Sequence, residues 1–204
     1  MKTIFIPAYS KINVSKVIKK VKIEEKIGLI TTIQFLPQLK QAKQLLKNSV
    51  IGGQITGCNI NNALKIKNKV NSFLYIGSGI FHPIEIAIKT KKKVYIANPI
   101  TNEVSQITKE QIEKHKKQRK GSYLKLLSAE KVGILISTKP GQCNLKNALK
   151  IKNKVKKPSY LFISNTINLQ ELENFPQIDC WINTSCPRIE GKNIINMSDL
   201  PKQL

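Results

Sequence analysis

Thirteen residues of the chain occur twice, almost verbatim. Cys58-Asn-Ile-Asn-Asn-Ala-Leu-Lys-Ile-Lys-Asn-Lys-Val70 returns as Cys143-Asn-Leu-Lys-Asn-Ala-Leu-Lys-Ile-Lys-Asn-Lys-Val155, differing only at Ile60/Leu145 and Asn61/Lys146. Each copy follows a Gly-Gln loop and leads into an aromatic-containing apolar run, Phe73-Leu74-Tyr75-Ile76 and Tyr160-Leu161-Phe162-Ile163. Later runs correspond more loosely: Val94 to Pro99, and Cys180 to Thr184 before Pro187. A period of about 85 residues is too long for a solenoid and fits two related α/β units in tandem. Convergence of Lys/Asn/Ile-biased helices is the competing explanation, but the strand–loop–helix order around each copy favours tandem units.

The rest of the pattern agrees. Ile27–Ile33 and Lys131–Thr138 are compact β-branched runs of the kind buried on both faces of a parallel sheet. Ser72–Gly77, Lys93–Ala97, Ser159–Ser164 and Ile178–Thr184 are further predicted strands, and Thr3–Ala8 reads as a buried strand ended by Pro7. Helices are expected over Val14–Lys22, Pro37–Leu46, Asn59–Val70, Ile84–Lys89, Asn144–Lys154 and Asn168–Asn174. Gly52-Gly53-Gln54-Ile55-Thr56-Gly57-Cys58 reads as a loop, because three of its residues are glycine. Thr108 is placed to cap a long polar helix that connects the units. The expectation is therefore an α/β chain of two tandem related domains, each a small, mainly parallel sheet flanked by helices, spanning 1–128 and 129–204. In such sheets ligands lie beyond the carboxyl ends of the strands. Gly52–Cys58, Gly77–Pro83, Pro140–Cys143 and Asn183–Arg188 all fall at or near such ends.

Composition narrows the function. The chain is 41% apolar, enough for packed cores, and no apolar run reaches the roughly 18 residues of a membrane span. Its start is too briefly apolar for a signal peptide, so a cytoplasmic protein is expected. Thirty-five basic against 12 acidic residues give +23. Only Arg119 and Arg188 are arginine, which fits general attraction to an anionic partner better than specific nucleic-acid readout. The run Lys114–Lys120 is either a phosphate-binding patch or a solvated helix face. The four cysteines, Cys58, Cys143, Cys180 and Cys186, form no Cys-x-x-Cys pair, so a metal site would have to gather ligands from distant segments.

Five motifs occur in one order: Gly53-Gln54-x-x-Gly57-Cys58; Tyr75-Ile76-Gly77-Ser78-Gly79-x-Phe81-His82-Pro83; Ser137-Thr138-Lys139-Pro140-Gly141-Gln142; Glu173-Asn174-Phe175-Pro176; and Asn183-Thr184-x-Cys186-Pro187-Arg188-Ile189. Together they resemble the archaeal diphthamide synthases, the 2-(3-amino-3-carboxypropyl)histidine synthases. The resemblance implies three related α/β domains that each give one cysteine to a [4Fe–4S] cluster. Cys58 matches the ligand of the second domain and Cys186 that of the third. It further implies that S-adenosyl-L-methionine is cleaved reductively to a 3-amino-3-carboxypropyl radical, which attacks a histidine of translation elongation factor 2. The start of the chain resembles the family's second domain, so the first cluster cysteine is missing. A separate first-domain polypeptide is the expected partner, in a dimer or heterotetramer. Cys143 is not a family ligand position, and Cys180, inside a strand, reads as a small core hydrophobe.

Thiolates are the usual ligands of iron–sulfur clusters. Cys58, before an expected helix N-terminus, and Cys186, locked before Pro187, suit that role. Gln54 and Gln142 are candidates to bond the aminocarboxypropyl group of S-adenosyl-L-methionine, or else structural loop residues. Gly77 and Gly79 would allow close backbone approach. His82 either meets cofactor or orders its turn, and Lys139 or Arg188 could meet a carboxylate. No catalytic residue is identified by its chemistry. Two other readings stay open: a non-catalytic paralogue that binds elongation factor 2, and a basic RNA-binding protein, for which no aromatic recognition strand is present.

Overall fold

The computed structural model describes residues 3–56 and 59–201. The chain forms two compact units, 1–114 and 115–204, with the boundary inside one long helix.

In the first unit the elements run α1 (Ser15–Ile18), β1 (Ile27–Thr31), α2 (Leu39–Leu45), β2 (Ser49–Gln54), α3 (Asn61–Ile66), β3 (Ser72–Ile76), α4 (Phe81–Thr90), β4 (Lys93–Asn98) and β5 (Glu103–Gln106). The sheet order is β2-β1-β3-β4-β5, with β1 to β4 parallel and β5 antiparallel. Alternation along the strands divides the apolar residues between two faces. Ile30, Phe73, Tyr75, Val94 and Ile96 pack with Ala63 of α3 and Ile84, Ile86 and Ala87 of α4. Ile27, Leu29, Leu74, Ile76 and Ala97 pack with Val17 and Ile18 of α1 and Leu39 and Ala42 of α2. Every residue of β1 and β3 is buried, as expected of a parallel sheet covered on both sides.

The helix α5 (Lys109–Ser128) bridges the boundary, and its start is the capping box expected at Thr108. Gln111 N donates to Thr108 Oγ1 at 3.2 Å, and Thr108 N donates to Gln111 Oε1 at 2.9 Å. Thr108→Ala is expected to cost about 1 kcal/mol, read as a lower urea midpoint with unchanged slope.

The second unit continues with β6 (Val132–Ser137), α6 (Leu145–Lys154), β7 (Ser159–Ser164), β8 (Cys180–Asn183) and β9 (Ile194–Asn196), all parallel in the order β7-β6-β8-β9. Val132, Ile134, Ile136, Cys180, Ile182 and Ile195 face Leu126 of α5 and Ala148 and Ile151 of α6. Leu135, Trp181 and Ile194 face the other way, against Phe162, Leu172 and Ile178. At the end of α5, Lys157 Nζ donates to the carbonyls of Leu126, Leu127 and Ala129.

The two units share one topology: β2-β1-β3-β4 and β7-β6-β8-β9 are the same order when each unit is counted from its first strand. The sequence repeat does not follow it. Its first copy, in α3, lies between the second and third strands; its second, in α6, lies between the first and second strands of its unit. Both copies bury the same face, with Ala63 and Ala148 fully enclosed. Their likeness is that of one local solution to packing a Lys-rich helix on a sheet, used at non-equivalent places.

Other expectations are corrected. Thr3–Ala8 is not a strand: it has no ladder partner, and Ile4, Phe5 and Ile6 are 85%, 71% and 85% exposed. The chain is first anchored at Ser10, whose N–H donates to Gln34 O. The helices at Val14–Lys22 and Pro37–Leu46 shrink to α1 and α2, because Pro37 sits in a 3-10 turn that precedes α2. Gly52-Gly53-Gln54 belongs to β2 rather than a loop. A Cβ on Gly52 would lie 2.8 Å from Ile66 Cδ1 and 2.9 Å from Ile30 Cγ2, so this glycine serves helix–sheet contact. Strands β2, β5 and β9 carry no strand signal in the sequence.

Candidate functional site

In the first unit, the candidates gather at the carboxyl end of the sheet. Thr31 Oγ1 donates to Ile76 O at 2.6 Å, tying the ends of β1 and β3 together. Gly77 N donates to Ala97 O, and a Cβ on Gly77 would stand 2.7 Å from the Tyr75 hydroxyl oxygen, so glycine is required by close approach. Gly79 has φ +75° and open space where a side chain would be. His82 falls in the first turn of α4. Its ring stacks on Tyr75 at 5.7 Å and meets the edge of Phe81 at 5.5 Å, so its orientation is set by aromatic packing. Gln54 closes β2, and its carbonyl accepts from Asn62 Nδ2 at 2.7 Å.

Cys58 lies outside the described residues. The described residues nearest to it, Thr56 and Asn59, exchange both backbone hydrogen bonds, at 3.0 and 3.2 Å. The helix that follows begins at Asn61, not Asn59, and has six residues. So short a helix, beginning three positions beyond Cys58, lends no basis for a lowered thiol there, and Cys58 is a candidate ligand through its motif alone.

In the second unit, the ends of β6, β7 and β8 are laced together. Ser137 N donates to Ser185 Oγ at 2.8 Å, and Ser137 Oγ donates to Asn165 O at 2.9 Å. Thr184 Oγ1 donates to Leu135 O at 2.7 Å. Cys186 sits in the loop after β8, half-buried and free of any disulfide. Asn183 Nδ2 donates to Cys186 O and to Asn196 Oδ1, both at 2.7 Å, while Asn183 Oδ1 accepts from Ser185 N. Asn196 Nδ2 donates to Pro187 O at 3.1 Å, so two asparagines from adjacent strands hold the main chain around the thiol. Gln142 is half-buried in a tight turn, its N–H bonded to Lys139 O at 3.0 Å, with Gly141 at φ +79°. Arg188 is exposed.

The remaining cysteines divide as the sequence suggests. Cys180 is fully buried at the start of β8, and burial pushes its thiol up to about 11. Cys143 is exposed. In the folded chain Cys143 is expected to alkylate readily with iodoacetamide at pH 8 and Cys180 only after unfolding, read by peptide mass spectrometry. The sign for stability follows: the raised thiol supports the fold fully below pH 9 and loses that support as pH rises from about 9 to about 11.

Among the described residues, no group of three His, Cys, Asp or Glu side chains could hold a metal ion. Cys186 does fit a cluster thiolate: it is an accessible thiol on a main chain fixed by neighbouring amides. The Asn183–Asn196 pairing had no sequence signal beyond the Asn-Thr-x-Cys motif, since Asn196 is on a strand that was not foreseen. No helix among the described residues is long and apolar enough to cross a membrane.

Fold and site define a class: tandem α/β units with mainly parallel sheets, in which the loop of Gly77 and Gly79 follows a strand's carboxyl end in the first unit and the loop of Cys186 does so in the second. A family profile described as "Putative diphthamide synthesis protein" matches residues 1–198, and the chain belongs to this diphthamide synthesis family. It is 34% identical over 208 residues to the 2-(3-amino-3-carboxypropyl)histidine synthase of Pyrococcus horikoshii, covering 92% of this chain and 59% of that one. The enzyme of the same name from Methanocaldococcus jannaschii is 32% identical, with 93% and 56% covered. The crystal structure of Dph2 from Pyrococcus horikoshii superposes with TM-score 0.80 at 29% identity, over 94% of this chain and 62% of that chain. The same protein with a 4Fe-4S cluster gives 0.77. The chain thus spans less than two thirds of the relatives it matches.

Proposed function

We propose that this chain is a component of an iron–sulfur enzyme that transfers the 3-amino-3-carboxypropyl group of S-adenosyl-L-methionine to a histidine of translation elongation factor 2, the first step of diphthamide synthesis. The observation that carries the reading is the Cys186 thiol, half-buried at the end of β8 with its carbonyl fixed by Asn183, in a chain of this family. Cys58 and Cys186 are the proposed ligands, one from each unit, corresponding to second- and third-domain positions in residues 1–128 and 129–204. A [4Fe–4S] cluster held there would supply the electron for reductive cleavage of the co-substrate. The protein's part is to hold and orient. Gln54 and Gln142 offer amides to the aminocarboxypropyl group, Gly79 leaves open space for close approach, Gly77, its own N–H bonded to Ala97 O, keeps the turn free of a side chain, and His82 presents an imidazole held by Tyr75 and Phe81.

A third thiolate is proposed to come from the part of the relatives' length that these 204 residues do not span, on a first-domain polypeptide. The test is iron and acid-labile sulfide content after anaerobic purification, for the chain alone and co-expressed with such a polypeptide. The cluster is expected to need both. Equal cluster content and equal elongation-factor modification without the second polypeptide would refute the divided site.

A further inference from the structure

Nine residues of the repeat are identical without a break, Asn62–Val70 and Asn147–Val155. Packing accounts for part of that identity. Ala63, Ile66 and Val70 pack into the core of the first unit, and Ala148, Ile151 and Val155 into that of the second. The outward residues are identical too, and packing does not require that. Leu64 and Leu149 are 38% and 43% exposed, and Lys65, Asn68 and Lys69 are as exposed as Lys150, Asn153 and Lys154. Exposed positions tolerate exchange at little cost, and α3 and α6 occupy different crossovers, so a shared place in the fold does not impose a shared surface. A bias toward lysine and asparagine sets their number, not their order.

We infer that α3 and α6 each present a phosphate-binding face for single-stranded RNA, held through its backbone without regard to sequence. Lys65, Lys67 and Lys69 form one face, and Lys150, Lys152 and Lys154 the other. Among the described residues none of these six ammonium groups has an ion pair or a hydrogen bond. No Asp or Glu occurs from Lys26 to Ile84 or from Lys131 to Gln170, so both faces are purely basic in sequence. The basic run of α5 differs: Glu110 and Glu113 lie beside it, and its Arg119 is paired with Asp199.

The chemistry selects the ligand. A polymer of identical charged units offers the same groups to two like faces, whereas a folded acidic protein offers a different surface to each. Lysine ammonium groups meet phosphates as point charges, without the planar fork that reads base edges. Neither copy holds an aromatic residue on which a base could stack, which leaves the backbone as the feature bound. The Asn68 and Asn153 amides, donor and acceptor at once, match the ribose 2′-hydroxyl that distinguishes RNA from DNA. Leu64 and Leu149 give an apolar seat to sugar and base faces that a duplex would cover.

The experiment is fluorescence anisotropy of a labelled oligouridylate, long enough to reach both units, titrated with the unaltered chain from about 50 to 200 mM salt. Log affinity against log salt is expected to fall with a slope of about −4, from about −0.7 for each of six phosphates. Lys65→Gln, Lys67→Gln and Lys69→Gln combined, or Lys150→Gln, Lys152→Gln and Lys154→Gln combined, should bring the slope to about −2 and lower the affinity roughly 100-fold at about 100 mM salt. The circular dichroism spectrum should not change, because lysine and glutamine have similar helix propensities. Lys114→Gln, Lys117→Gln and Lys120→Gln combined remove the same charge from α5 and should leave the slope unaltered. An oligodeoxyuridylate of equal length should bind more weakly. Absence of binding at the lowest salt, an α5 variant that loses as much affinity as either face variant, equal binding of the deoxy oligomer, or tighter binding of polyglutamate than of oligouridylate overturns the proposal. The assay needs neither cluster nor co-substrate, so its outcome is separate from that of the transferase reading.

Discussion

Replacing Cys186 by alanine is expected to reduce the anaerobically reconstituted complex from about four iron atoms per chain to near none, with loss of the cluster's visible absorption. The fold should survive, because Cys186 is only half-buried and its loop is held through main-chain carbonyls rather than through the thiol. Cys58→Ala should have the same effect on iron, whereas Cys143→Ala and Cys180→Ala should leave iron unchanged. Cys143 is solvent-facing, and Cys180 is a buried member of a hydrophobic cluster. Asn183→Ala tests the support of the thiol separately. It removes the donor to Cys186 O and the contact to Asn196, and should weaken iron retention by about 10–100-fold while leaving all four thiols in place. Iron and sulfide assays against chelator challenge distinguish the two levels. Full retention of iron in Cys186→Ala would remove this residue from the ligand set.

The largest effect on stability is expected from Gly133→Ala in β6. A Cβ there would stand 2.3 Å from Cε3 and Cζ3 of Trp181 and 3.1 Å from Ile178 Cγ2. The indole cannot withdraw cheaply, because Phe162 packs on it at 4.7 Å and Phe175 at 6.2 Å. Strain of this kind typically costs about 1–3 kcal/mol and occasionally more, and here it falls on a central strand that pairs with both β7 and β8. Thermal and urea unfolding should show the loss in the second unit, with Trp181 fluorescence as its reporter, since this is the chain's single tryptophan. Gly121→Ala in α5 is the matched control: nothing lies within 4 Å of the added methyl, and helix propensity favours alanine.

Much of the fold was legible because its central strands are buried on both faces. Ile27–Thr31, Ser72–Ile76 and Val132–Ser137 announce themselves as unbroken β-branched runs, and their burial is the reason. The errors came where local pattern depends on what lies opposite. Ile4-Phe5-Ile6 has strand composition, but no strand among the described residues pairs with it, and composition does not report a partner. Gly52 and Gly53 read as loop because glycine usually marks turns, whereas Gly52 is small so that Ile66 and Ile30 can close over it. Ile194–Asn196 is too short for periodicity to mark.

The repeat led to a correct architecture by an indirect route. Its two copies fold alike locally, yet α3 and α6 occupy different crossovers, and the units are related instead by strand order. Candidate site residues are marked in the sequence only by motifs. Asn-Thr-x-Cys-Pro-Arg marks the loop of Cys186 as a candidate, but the structural role of its first residue depends on Asn196, thirteen positions on and on the neighbouring strand.

This chain is proposed to take part in aminocarboxypropyl transfer to elongation factor 2. The most direct measurement is mass spectrometry of that factor after anaerobic incubation with a reductant, S-adenosyl-L-methionine, the chain and a first-domain polypeptide. One 3-amino-3-carboxypropyl addition on a single histidine is expected, lost when either Cys58 or Cys186 is replaced by alanine. Addition that proceeds equally well with both cysteines replaced, or no addition from a complex that carries its full iron and sulfide, would contradict it.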